Sequence, residues 1–169
     1  MTASPPRPQQ IPARVTSIIA GHALPADLPG HDIPVVNPTS EEVISTLREA
    51  DAAEVDAAVR AARQAFDEGP WPRMDINTRK DILYSVRDHL RRHAEELAWL
   101  ECTTAGLPLA SVLWHVQRMA RNFEFFAEVA STARGETYNQ TAGILTIVTR
   151  EPKGVAAVIS PWNAPLALS

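Results

Sequence analysis

The chain has a single cysteine, Cys102, in 169 residues. One thiol excludes an internal disulfide framework and suits a reducing compartment, so the cytoplasm is the expected location. Basic charge is also scarce, and the net charge of −4 offers no cationic footprint. Nucleic acid is therefore not an expected partner, nor is an anionic membrane surface. No run approaches the roughly 20 apolar residues that a membrane-spanning helix needs. Val15 to Leu24 imitates a secretory core, but it is short, holds His22 and runs into Pro25 and Asp27 instead of a small-residue cleavage site. No internal repeat is visible.

What is present is globular in character: 45% hydrophobic and 21% charged residues, enough for one ordinary domain with a core. Eight of the 14 prolines fall within residues 1–38. Met1 to Pro12 has almost no apolar periodicity, and residues 1–30 read as a mobile tail ahead of a folded part, 31–169. Ile33 to Asn37, Pro38-Thr39-Ser40 and Val43 to Leu47 read as strand, turn and strand.

The middle of the chain is helical. Asp51 with Glu54 three residues on has the form of a capping box, and Val55, Val59, Ala62 and Phe66 follow on one face until Gly69-Pro70. A second helical pattern starts near Asn77 or Thr78 and carries Leu83, Val86, Leu90, Leu97 and Leu100, with a break expected near His93. A third sets Val112, Val116, Met119, Phe123, Phe126 and Ala130 on one stripe. Trp114, Arg118 and Arg121 fall on a displaced face of that helix. Ile144 to Arg150 is β-rich.

The last stretch, Lys153 to Ser169, is the most informative. Val155 to Ile159 is an uninterrupted apolar run entered through Gly154 and ended by Ser160-Pro161, the pattern of a strand buried on both faces. Beyond it come Trp162 and Asn163, and Pro165 stands where it can open a helix. Taken alone, Asn163 also suits a helix cap. At the carboxyl end of a strand, its amide hydrogens could equally stabilise an oxyanion.

The run Gly154-Val155 through Ile159, then Pro161-Trp162-Asn163-Ala164-Pro165, resembles the NAD(P)-dependent aldehyde dehydrogenase superfamily. The resemblance extends from about Val36 to the end. It implies an α/β fold of which this chain is the incomplete amino-terminal part: helices plus the first strand of a Rossmann-like sheet, within the cofactor-binding domain. It also implies roles. Asn163 would donate its amide to the thiohemiacetal oxyanion, while Ile159, Ser160, Pro161 and Trp162 would lie along NAD or NADP. One side of the third helix would border the substrate tunnel, where Trp114 and Arg118 become substrate residues and an arginine would pair with a distal carboxylate. The family's nucleophilic cysteine, general-base glutamate and cofactor lysine lie downstream of this motif, so the chain is expected to be inactive alone. The substrate of the complete enzyme would be a small aldehyde.

Two departures refine this. Ala164 replaces the usual phenylalanine, as in members that oxidise semialdehydes from aromatic-ring breakdown, including the carboxymethyl-hydroxymuconate semialdehyde type. Thr104-Ala105-Gly106-Leu107-Pro108 lacks the acid of the usual Asp-x-Gly-x-Pro pattern. Other candidates read blandly. Cys102 has Glu101 beside it and no adjacent cation to lower its pKa, so it is a structural thiol. His89 and His93 have i, i+4 spacing, but with Arg91-Arg92 between them they read as a solvated face, and no metal site is expected. His115 has no partner in sequence. Two alternatives stand beside the enzyme reading. One is a non-catalytic interaction module that pairs with a full-length homologue through Ile144 to Arg150 or its apolar faces, and the other is a decayed reading frame; a homo-oligomer or a complementing chain is the expected protein partner.

Overall fold

The computed structural model describes residues 11–168. The first ten residues of the expected tail lie outside that range. The remainder of the tail, 11–30, is tied to the fold. Arg14–Val15 (β1) pairs in parallel with Val43–Arg48 (β5), which pairs on its other side antiparallel with Asp32–Val36 (β4). Arg14 donates to Asp32 Oδ1 at 2.7 Å and to the Leu28 carbonyl at 2.8 Å. Ile18–Ile19 (β2) and His22–Ala23 (β3) form a hairpin around Ala20 and Gly21, both at positive φ, as a two-residue primed turn requires. The would-be secretory core is thus a turn of sheet.

The expected strand, turn and strand appear as β4, an Asx turn in which the Thr39 N–H donates to Asn37 Oδ1 at 2.9 Å, and β5. Ala52–Asp67 (α1) opens on a complete capping box. The Glu54 N–H donates to Asp51 Oδ1 at 2.8 Å and the Asp51 N–H to Glu54 Oε2 at 3.1 Å. A short 3₁₀ turn, Trp71–Arg73, leads into Ile76–Arg92 (α2), whose N-cap is Asp75. The expected break falls at His93, which closes α2 and opens Ala94–Ala105 (α3). Basic residues in the last turn of α2 and Glu95 and Glu96 in the first turn of α3 suit the opposed dipole ends that meet there. Gly106, at φ +72, caps α3, and Leu109–Ala130 (α4) follows.

Both α2 and α3 pack on α4. The core is a cluster of Ala94, Ala98, Val112 and Val116, with Val112 and Val116 fully buried. Burying each stabilises by about 1.5–3 kcal/mol. The buried stripe of α4 runs through Val112, Val116, Ala120 and Ala127, and Phe126 is 61% exposed. At about 100° per residue Phe126 lies some 40° outside that arc, and small alanines let the neighbouring helices approach instead. The face of α1 that holds Val55 and Val59 remains half open, lining a trough of ≈ 270 Å³ with Ile18, Ile19, Val155 and Ala156.

Glu136–Thr141 (β6) and Ile144–Val148 (β7) form a separate, wholly exposed hairpin turned at Gly143. The expected buried strand at Val155 to Ile159 is not formed: among the described residues it pairs with nothing, and Val158 and Ile159 are 81% and 95% exposed. A strand exists only by bonding to a neighbour, and a parallel one needs a crossover of a dozen or more residues. The architecture is α/β, with three helices as its one consolidated layer.

Candidate functional site

The Pro161-to-Pro165 stretch is a turn. Pro165 opens the single-turn helix Pro165–Leu168 (α5), as the missing proline N–H permits, and the Ala167 N–H donates to the Ala164 carbonyl at 3.1 Å. Leu166 is the anchor. It packs against the Ala94, Ala98, Val112 and Val116 cluster, and α5 as a whole lies on α4. Sequence reading did not single out Leu166; the available signal was an apolar side chain directly after the helix-opening proline.

Asn163 therefore sits two residues before a short helix docked on the core. It is exposed, and its amide makes no hydrogen bond to any described residue. Trp162 is 85% exposed and Ile159 almost wholly so, while Ser160 is half-buried. These faces present apolar and aromatic surface, which suits the flat rings of a dinucleotide. Residues 159–163 include no cation for its phosphates. Gly154, at φ +120, is close against α1: a Cβ there would stand 2.9 Å from Arg63 Nη1. The chain thus passes along α1 before it reaches the turn.

The second group lies elsewhere on α4. Trp114 is 58% exposed, and the Arg118 guanidinium lies 5.6 Å from the centroid of its indole ring. Arg118 and Arg121 are exposed. Trp114 is about 200° around the helix from Val112, so this shelf faces away from the core that holds Leu166. No hydrogen bond or ion pair joins Arg118 or Trp114 to the Asn163 turn among the described residues.

Cys102 is half-buried. Its neighbour Glu101 is 3% exposed, and His115, without a partner in sequence, faces it with Nδ1 3.7 Å from Oε2. No described helix is long and apolar enough to cross a membrane.

Comparison with known proteins places these features in context. The signature of the aldehyde dehydrogenase family matches residues 26–169. The chain is 41% identical over 139 residues to a 2-hydroxymuconic semialdehyde dehydrogenase of Pseudomonas sp. (strain CF600), covering 79% of this chain and 28% of that protein. It is 38% identical over 141 residues to an aldehyde dehydrogenase of Tanacetum cinerariifolium, covering 82% of this chain and 28% of the relative. Among solved structures it superposes on an NAD-dependent aldehyde dehydrogenase from Sinorhizobium meliloti with a TM-score of 0.84 and 36% identity, over 94% of this chain and 32% of that one. The chain spans about three-tenths of the length of these relatives.

Proposed function

The chain belongs to the aldehyde dehydrogenase family, and on that premise we propose that it forms the amino-terminal part of an NAD(P)-dependent enzyme oxidising an aldehyde to a carboxylic acid, with Asn163 as oxyanion stabiliser. The observation that supports this reading is an exposed amide with no hydrogen-bond partner among the described residues, held just before a helix that Leu166 fastens to the core. When a thiolate adds to an aldehyde carbonyl, negative charge develops on the carbonyl oxygen. Amide hydrogens aimed at that oxygen stabilise the charge. Ile159, Ser160, Pro161 and Trp162 would hold the nicotinamide dinucleotide, chiefly by apolar contact, and the bound cofactor supplies the electron acceptor. The Trp114 and Arg118 shelf faces away from the core that holds Leu166, so a semialdehyde, the substrate class that Ala164 favours, would find its distal carboxylate's partner outside this shelf.

The thiolate itself would come from outside these 169 residues. Cys102 is half-buried on α3 and is not part of the Asn163 turn. The isolated chain is accordingly expected to form no NADH from any aldehyde. The role of Asn163 is tested in a chimera in which this chain replaces the matching segment of the semialdehyde dehydrogenase that is 41% identical to it. Asn163→Ala should lower kcat by about 10²–10³, the usual cost of one oxyanion donor. An unchanged kcat would sink the assignment.

A second reading rests on the β6–β7 hairpin, where every residue is exposed and Ile144, Leu145 and Ile147 are each more than half so. Such a surface suits association with a second copy or a homologous chain. Light scattering over a concentration series, alone and mixed with the 41% identical homologue, tests it, and a monomer throughout both series would exclude it.

A further inference from the structure

The end of α2 brings together two imidazoles, His89 in its last turn and His93 at its C-cap, whose sequence context suggested only a solvated face. His89 and His93 have ring centroids 4.4 Å apart with planes tilted by 34°. His93 Nδ1 lies 3.1 Å from Glu96 Oε2. An ionised carboxylate oxygen can only accept, so this contact puts the ring proton on Nδ1 and leaves the Nε2 lone pair available. An imidazole held by a carboxylate through its other nitrogen is oriented, which is the usual arrangement around metal-ligating histidines.

Of the two arginines between the imidazoles, one is drawn away by an acid on α4. Arg91 donates to Glu124 Oε2 on α4 at 3.0 Å, so that cation is compensated away from the imidazoles. Arg92 remains in the turn and lowers the affinity for any cation without blocking the pair. Two imidazoles that share an ion at about 2.1 Å from each nitrogen place their ring centroids roughly 5 Å apart. The observed separation of 4.4 Å is close to that spacing.

We propose that His89 and His93 form a surface site for one divalent transition-metal ion, of the Cu²⁺, Ni²⁺ or Zn²⁺ class, with Glu96 fixing His93 and water completing the shell. This is an open, two-ligand site and not a cage: no group of three or more His, Cys, Asp or Glu side chains able to hold a metal exists among the described residues. It shares no residue with the Asn163 turn and does not depend on the function read there. Because His93 both closes α2 and opens α3, a bound ion would staple the last turn of α2 to the break between the helices.

The test is calorimetric titration of the untagged 169-residue chain with CuCl₂, NiCl₂ and MgCl₂, beside His89→Ala, His93→Ala, Glu96→Gln and the control His22→Ala. One Cu²⁺ per chain should bind more tightly than Ni²⁺, and Mg²⁺, which prefers oxygen ligands, should not bind there. Either variant at His89 or His93 should weaken binding by more than about tenfold, Glu96→Gln by about tenfold, and His22→Ala not at all. Ni²⁺ should raise the Tm of the parent and leave that of His89→Ala unmoved. All of the imidazoles in question are at least partly exposed, and far-UV circular dichroism would confirm that the variants fold. Equal binding by the parent and both imidazole variants would overturn the site, as would loss only in His22→Ala. An unchanged Glu96→Gln would overturn the orienting role of Glu96.

Discussion

Glu101 on α3 and His115 on α4 meet across the helix interface with Oε2 3.7 Å from Nδ1, and neither carboxylate oxygen nor that nitrogen has a hydrogen-bond partner among the described residues. A buried acid without donors is expensive, and removing the imidazole that faces it is worse. His115→Ala should therefore cost about 2 kcal/mol in urea unfolding at unchanged m-value. The double variant Glu101→Met with His115→Phe, which replaces the pair by apolar volume, should be at least as stable as the parent. A double variant less stable than His115→Ala would show that the pair contributes net stability.

Glu54 serves two elements at once. Its carboxylate accepts from the Asp51 N–H in the capping box and from Arg48 Nη1 at 2.7 and 2.8 Å, joining β5 to α1. Arg48 is 5% exposed and also donates from Nε to the Pro29 carbonyl at 2.9 Å. Asp51→Ala removes a cap alone and should cost about 1 kcal/mol. Glu54→Ala also strands a buried guanidinium, so its loss in chemical denaturation should exceed that of Asp51→Ala. Equal losses would mean that Arg48 finds water when Glu54 is gone.

Asp75 gives the fold an acid-sensitive start to α2. Its carboxylate accepts from the Thr78 hydroxyl and from the N–H groups of Thr78 and Asn77 at 3.1 and 3.0 Å. Those bonds, the Thr78 hydroxyl first, hold its pKa below the usual aspartate range. A group depressed in the folded state contributes stability that is complete above its unfolded pKa of about 3.9 and lost as pH falls through the lower, folded value. Asp75→Asn keeps a capping oxygen but does not titrate. Helicity followed at 222 nm should show a shallower decline below pH 4 in that variant than in the parent.

Much of this was legible because it is local chemistry. The capping box at Asp51 and Glu54, the break at His93 and the helix opened by Pro165 each depend on residues within a turn of one another, and all three stand where their spacing placed them. Family and α/β class were legible for a different reason, in that the Pro161-Trp162-Asn163-Ala164-Pro165 run is long and specific. What escaped was non-local. Val155 to Ile159 has the composition of an inner strand, but composition does not supply the neighbour. The anchoring of Arg14 to Asp32, of Leu166 to Val112 and Val116, and of Glu101 to His115 each joins residues that no periodicity relates.

Gly106 shows how one backbone position ties the sheet to the helical layer beside the candidate site. At φ +72 it caps α3 with its N–H on the Cys102 carbonyl at 3.0 Å, and a Cβ built on it would stand 2.7 Å from Pro38 Cγ in the β4–β5 turn. Any L-residue there costs roughly 1–2 kcal/mol for the left-handed backbone before contact is considered. The proline ring can yield a little, but it belongs to a turn held by Asn37, so part of the clash must pass into α3 or β4. Leu107, one residue on, packs against the same core cluster as Leu166. Gly106→Ala should therefore lower stability by about 2 kcal/mol or more, and Pro38→Ala in the same background should recover the clash but not the backbone cost. If the two changes are simply additive in thermal unfolding, the approach of Pro38 to Gly106 carries no energetic weight.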